Sequence, residues 1–142
     1  MSSAVQVRHG SLGDSDALLE FWRVAGENDS RPADTGDALA RLLMRDPESV
    51  LIAEDGAQIV GTIIAGWDGW RAHLYRLAVL PERRREGIGR RLITAAEERL
   101  GRLGATRIDA MVLSANELAH SSWLAAGYKP QPSWARWVKP VK

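Results

Sequence analysis

No cysteine occurs in the 142 residues. That absence excludes disulfides, a cysteine nucleophile and thiolate metal sites, and no bound metal is expected. No apolar run approaches the length that spans a bilayer. The opening residues, Met1-Ser2-Ser3-Ala4, lack the basic segment and apolar stretch of a signal peptide. The expectation is a soluble cytoplasmic protein with no membrane partner. Internal repeats, low-complexity tracts and linkers are missing too, so a single domain over residues 1–142 is expected. A chain of this length buries roughly 70% of its unfolded surface, enough for a core with a cleft.

Net charge is also nearly absent, at +1, but it is unevenly spread. Residues 1–70 hold 5 Lys/Arg against 12 Asp/Glu, and residues 71–142 hold 14 against 6. The basic half suits an anionic ligand and the acidic half a cationic one. Two solvated faces that merely differ in sign are the plainer alternative.

What is present is a clear alternation of periods. Val5–Arg8 alternates apolar and polar residues as a strand does. Leu18, Leu19, Trp22 and Ala25 share one face of a helix near 14–26. Glu27–Thr35 is a polar loop, and a second amphipathic helix follows near 36–45, with Pro47 just beyond its end. Val50–Glu54 and Gln58–Gly66 read as strands around the turn signal Asp55-Gly56. Arg71–Leu80 is a further strand, stopped by Pro81. Ile88, Leu92, Ala96, Leu100 and Leu103 form the apolar stripe of a long helix that Gly104 closes. Arg107–Leu113 is a strand, Asn116–Ala126 a short helix ended by Gly127, and Tyr128–Val138 a broken last strand. The order is β-α-α-β-β-β-α-β-α-β. It predicts an α+β fold with a mixed, largely antiparallel central sheet, flanking helices and one parallel β-α-β unit through the helix at 88–103.

The chemistry concentrates between Val79 and Leu92, where a strand end runs through Pro81-Glu82-Arg83-Arg84-Arg85-Glu86-Gly87-Ile88-Gly89 into that helix. First-turn N–H groups lack an intrahelical partner, and the helix dipole adds positive potential there. Together they suit a pyrophosphate. Gly87 and Gly89 let phosphates reach the backbone, and Arg84, Arg85, Arg90 and Arg91 add cationic charge. No Gly-Lys-Ser/Thr follows, which excludes a Walker loop, and Leu92 stands where a dinucleotide fingerprint needs its third glycine.

Arg84-Arg85-Glu86-Gly87-Ile88-Gly89 resembles the Q/R-x-x-G-x-G/A motif of the GNAT superfamily of N-acetyltransferases, with Val79 and Pro81 also in place. Asn116, Ala119, Gly127 and Tyr128 look like the N-x-x-A-x-x-x-x-x-x-x-G-F/Y pattern of the same family. The resemblance covers the whole element order and is specific over about 79–128. It implies that acetyl-CoA is the cosubstrate, its pyrophosphate held by the amides of Arg84, Arg85, Glu86, Gly87, Ile88, Gly89 and Arg90. Leu77, Ala78 and Val79 would pair with the pantetheine arm as if it were a strand, and Asn116 and Trp123 would border it. An amine of a small molecule or peptide is the implied acceptor, and a homodimer is one assembly open to the family.

Attack of an amine on a thioester needs a group to take a proton, donors for the developing oxyanion and protonation of the departing thiolate. The family's fourth-strand amide on the carbonyl points to Ala78 or Val79. His73, five residues before Ala78, stands where some members place a catalytic glutamate, and Tyr75 shares its strand face for a relay through water. Asp68 and Glu54 are weaker base candidates with turn chemistry as the plainer alternative. Trp123 occupies the position of the family's usual tyrosine acid, and an indole does not supply a proton. Water, Ser122, His120 or Tyr128 are then the candidate acids. Trp67 and Trp70 around Asp68-Gly69 would offer an aromatic wall with a carboxylate to a cationic amine. Trp22 reads as core, and Trp134 and Trp137 as packing.

Two other functions fit parts of the pattern. A non-catalytic coenzyme A-binding module would explain the missing acid. Nucleic-acid binding through Arg83–Arg85, Arg90, Arg91, Arg99 and Arg102 lacks any recognition motif or interleaved aromatic residues.

Overall fold

The structure, a computed structural model, describes residues 4–26, 33–114 and 116–141. Most of the loop expected at 27–35 lies outside the described residues, as do the first three residues of the N-terminal run. The elements are β1 (Val5–His9), α1 (Ser15–Ala25), α2 (Gly36–Arg45), β2 (Val50–Asp55), β3 (Gln58–Trp67), β4 (Ala72–Val79), α3 (Ile88–Leu103), β5 (Ile108–Ala110) and α4 (Glu117–Ala125), with 3-10 turns at Leu12–Asp14 and Pro81–Arg83. The sheet runs β1-β2-β3-β4-β5. Its first three pairings are antiparallel and β4–β5 is parallel, closed by the crossover through α3. The fold is therefore α+β with a mixed, mostly antiparallel sheet.

Local chemistry fixes the element ends. The Thr35 hydroxyl accepts the Ala38 N–H at 3.1 Å and starts α2. Arg8 in β1 grips Asp14 through two hydrogen bonds of 2.9 and 2.8 Å, tying the start of α1 to the sheet. Gly104, at φ 105°, ends α3 in the left-handed conformation.

The core lies on both faces of the central strands. Cross-strand partners share a face. On one face, Gly61 of β3 meets Ile88 and Leu92 of α3. On the other, Trp22 of α1, 2% exposed, donates its indole N–H to Thr62 Oγ1 at 2.9 Å.

A bulge interrupts β4 at Arg76, whose φ of 55° is left-handed without glycine. Thr62 pairs with Ala78, but Ile64 pairs with Tyr75, so one extra residue of β4 has entered the ladder. The register therefore puts His73, opposite Gly66, and Tyr75, opposite Ile64, on the α1 face. Val79, opposite Gly61, lies on the α3 face. Tyr75 and His73 share a face as expected, and the bulge sets Val79 on the other.

The last expected strand, Tyr128–Val138, does not form; no residue from 128 to 141 lies in a strand. Pro130 and Pro132 carry no N–H to pair. Trp134 and Trp137, expected to pack, are 74% and 91% exposed.

Candidate functional site

The loop before α3 makes an amide cradle. Arg85 at φ 67° and Gly87 at φ 80° are both left-handed. For the arginine this is a strained state that persists only where its surroundings impose it. Arg83 supplies the anchor, with hydrogen bonds to Glu86 at 3.1 and 3.0 Å and to Asp55 at the end of β2 at 3.0 Å. The first bond closing the helix runs from Arg91 N–H to Gly87 O at 3.1 Å. The amides of Ile88, Gly89 and Arg90 therefore face forward, out of the helix. A Cβ at Gly89 would meet nothing nearer than Ser122 Oγ and Val79 Cγ2, both at 3.9 Å, and one at Gly87 would meet nothing within 4 Å. The protein leaves this space open, so the glycines suit an approaching diphosphate better than any packing need.

The arginines around the cradle divide in role. Arg84 and Arg85 are exposed and bind no protein group among the described residues. Arg90 donates to the Ala125 carbonyl at the end of α4 at 3.1 Å, and Arg91 to the Val5 carbonyl at 3.0 Å. Only the first two keep free charge for an anion.

Beside the cradle, β4 has an open edge. β5 pairs with it only from Ala72 to Leu74, followed by one bond from Met111 N–H to the Leu74 carbonyl at 3.0 Å. From Tyr75 to Val79 the edge has no strand partner among the described residues. Leu80 N–H bonds the Val60 carbonyl at 3.0 Å. Amide direction alternates along a strand, so the Ala78 amide turns toward β3 while those of Leu77 and Val79 turn to the open edge. Of the two expected thioester donors, Val79 turns its amide to that edge and Ala78, 6% exposed against Thr62, does not.

Trp67, Asp68, His73 and Tyr75 come together in one cleft of about 310 Å³, also lined by Leu42 and Arg45 of α2 and by Asp46 just after it. In the sequence α2 shows only an amphipathic period, and nothing in it flagged those three residues. Asp68 accepts the N–H groups of Trp70 and Arg71 at 2.8 and 2.7 Å. These two bonds, Arg71's first, hold its carboxyl below the usual range, so it brings a fixed negative charge to the rim. Trp70 is not part of the wall; it is 80% exposed, with the Arg71 guanidinium 5.3 Å from its ring. Glu54 is paired with Arg8 at 2.9 Å, two strands from His73.

The second motif is largely helix architecture. Asn116 Oδ1 accepts the Ala119 N–H at 3.3 Å and caps α4. Trp123 is 4% exposed and lies edge-on to Tyr128 at 5.1 Å, so it belongs to the core and not to the wall of a groove. Tyr128 donates to Glu97 at 2.7 Å, and burial, with Glu97 second, pushes its pKa up, which removes it as an acid. His120 Nε2 lies 3.3 Å from the Leu113 carbonyl. Ser122 Oγ lies 3.9 Å from where a Gly89 Cβ would stand, beside the cradle. Among the described residues, no group of three or more His, Asp and Glu could hold a metal, and no helix is long and apolar enough to cross a membrane.

The model of the Acetyltransferase (GNAT) family matches residues 16–128. An acetyltransferase of Pectobacterium atrosepticum is 38% identical over 114 residues, covering 80% of this chain and 79% of that protein. The PaiA N-acetyltransferase of Thermoplasma acidophilum, solved in complex with coenzyme A, superposes with a TM-score of 0.78 at 21% identity over 92% of both chains. An aminoglycoside acetyltransferase from an uncultured soil metagenomic sample, solved with sisomicin, gives 0.74 at 18% identity over 99% of this chain and 98% of the other.

Proposed function

We propose a reading that proceeds from one premise: this chain belongs to the Acetyltransferase (GNAT) family. In that reading it moves the acetyl group of acetyl-coenzyme A to a primary amine of a small molecule or peptide. The single observation that carries it is the junction of two features: forward-facing amides beside an unfilled Gly89, and the unpaired β4 edge that begins at Val79. A diphosphate followed by an amide-bearing arm matches that succession of donors.

The bound thioester supplies an activated acetyl group. The Val79 amide, directed to the open edge next to the cradle, donates to the pantetheine arm, and the Leu77 amide, farther along the same edge, donates to the carbonyl oxygen as negative charge develops there. His73 accepts the proton of the attacking amine, through Tyr75 or a water in the cleft. The new C–N bond forms as the C–S bond breaks, and water protonates the departing sulfur. Trp67 and the ionised Asp68 receive a cationic amine at the rim. A cleft of about 310 Å³ takes a compact amine or the end of one side chain.

The test is calorimetry with coenzyme A on the parent and on Gly89→Leu, because the motif itself admits alanine at this position. The Cβ fits the fold, 3.9 Å from its neighbours, but the longer side chain intrudes on the phosphate. The expected outcome is an unchanged melting temperature and a dissociation constant raised about tenfold or more, the worth of a lost hydrogen bond to a charged group. Equal affinity in both proteins would remove the cradle from the reading. A coenzyme A-binding module without turnover is the second reading, favoured by the burial of Trp123 and the engagement of Tyr128 with Glu97. Release of free thiol with a panel of amines separates the two.

A further inference from the structure

Two arginines are buried among the described residues, Arg76 and Arg99, each 6% exposed. They arise from different elements, β4 and α3, and neither lines the cleft. Both end on α2. Arg76 pairs with Asp34, one residue before the Thr35 cap. Arg99 pairs with Asp46, the residue that closes the helix, and also donates to the Ala65 carbonyl of β3. Between these grips α2 sends only Leu39 and Leu43 into the core, while its last turn walls the cleft.

Burying a guanidinium is costly until its partner offsets the lost hydration, so such pairs are poor devices for stability alone. They are directional, however, and the Arg76 grip is embedded in further contacts. Its guanidinium lies 5.3 Å from the Trp22 ring centroid, and its carbonyl accepts the Thr62 hydroxyl at 3.0 Å. A Cβ at Gly26 would collide with the same guanidinium. The end of α1, the β4 bulge and the entry to α2 are thereby joined through one side chain.

We propose that Arg76 and Arg99 are positioning residues that set the gap between α2 and the His73–Tyr75 face, and so decide which amine the cleft accepts. The proposal rests on the acetyl-transfer reading above. Neither arginine touches reacting atoms. The cradle starts α3 about three turns before Arg99, and the Arg76 guanidinium is directed to Trp22 and Asp34 on the sheet face opposite α3, so coenzyme A binding does not depend on either grip.

The test uses the full chain carrying Arg76→Met, Arg99→Met, Asp34→Asn or Asp46→Asn, with Arg76→Lys as the conservative control. Aliphatic, aromatic and amino-acid amines are assayed with acetyl-CoA, coenzyme A binding is followed by calorimetry, and α2 amides by hydrogen exchange. The expected result is an amine KM raised on the order of tenfold to a hundredfold, or a changed order of preferred amines. Coenzyme A affinity stays level, α2 exchanges faster, and Arg76→Lys recovers part of the loss. Where a methionine variant fails to fold, the asparagine variant of the same grip decides. An unchanged KM and amine order despite faster exchange overturns the proposal, as does a fall in coenzyme A affinity in step with the rise in KM. A parent protein that binds coenzyme A but acetylates no amine is a different result: it removes the functional reading, and the proposal with it.

Discussion

Asp14 and His73 show two residues whose surroundings assign them opposite kinds of work. The Arg8 guanidinium, hydrogen-bonded to Asp14 on both oxygens, holds that carboxyl down at about 2. A carboxylate with a folded pKa below its unfolded value stabilises the fold fully above the unfolded value of about 4, and the contribution disappears as pH falls toward 2. Asp14→Asn should therefore lower stability at neutral pH and flatten the acid limb in that window, read by urea unfolding at several pH values. His73 carries no comparable structural duty, since it is half-buried at the cleft and no hydrogen bond from its side chain stands among the described residues. His73→Asn should leave coenzyme A affinity alone and lower kcat by about 10²–10⁴, the worth of a placed proton acceptor. A kcat within a factor of a few of the parent's would return the base role to water. His73, Tyr75 and the Gly87–Gly89 pair were legible in the sequence because strand period and helix-start chemistry are local. The choice of Val79 over Ala78 was not, because amide direction depends on which neighbour a strand pairs with.

At the scale of elements, the site depends on how closely α3 approaches β3. Gly61 makes that approach possible: a Cβ there would lie 2.9 Å from Ile88 Cγ2 and 3.0 Å from Leu92 Cδ1. Both partners are buried on the same helix face, so α3 would have to tilt or lift. Gly61→Ala should cost about 1–3 kcal/mol, as overpacking does, and should also weaken coenzyme A because the cradle rides on the first turn of α3. The contrast with Gly89→Leu is diagnostic, since one substitution lowers affinity and stability together and the other lowers affinity alone. Denaturant unfolding beside calorimetry on the two proteins checks it. Element order down to α4 followed from apolar period, caps and turn residues. The β4 bulge escaped because a left-handed Arg76 leaves no glycine to mark it. The last strand failed in the other direction: alternation around Trp134 and Trp137 suggested pairing that Pro130 and Pro132 interrupt.

For the molecule as a whole, the charge asymmetry changes meaning once partners are known. Among the arginines of the nucleic-acid alternative, Arg83 is spent on Asp55 and Glu86, Arg90 on α4, Arg91 on β1 and Arg99 on Asp46. What remains is not a continuous basic face but a local pair, Arg84 and Arg85, at the mouth of the amide cradle, and a lone Arg102 in the last turn of α3. That arrangement attracts a compact polyanion to one spot, and its reach is set by salt. The screening length is about 10 Å at 0.1 M and about 3 Å at 1 M, so free charge at the loop steers only in dilute buffer. Coenzyme A association, followed by stopped flow, should slow about tenfold or more between low and high ionic strength. Dissociation should change less, since amide contacts in the cradle are short-ranged. Replacing Arg84 and Arg85 together by serine should flatten the salt dependence without abolishing binding. If the double variant kept the parent's slope, steering would have to arise from the net charge of the whole 71–142 half, and the two free arginines would be ordinary solvated residues.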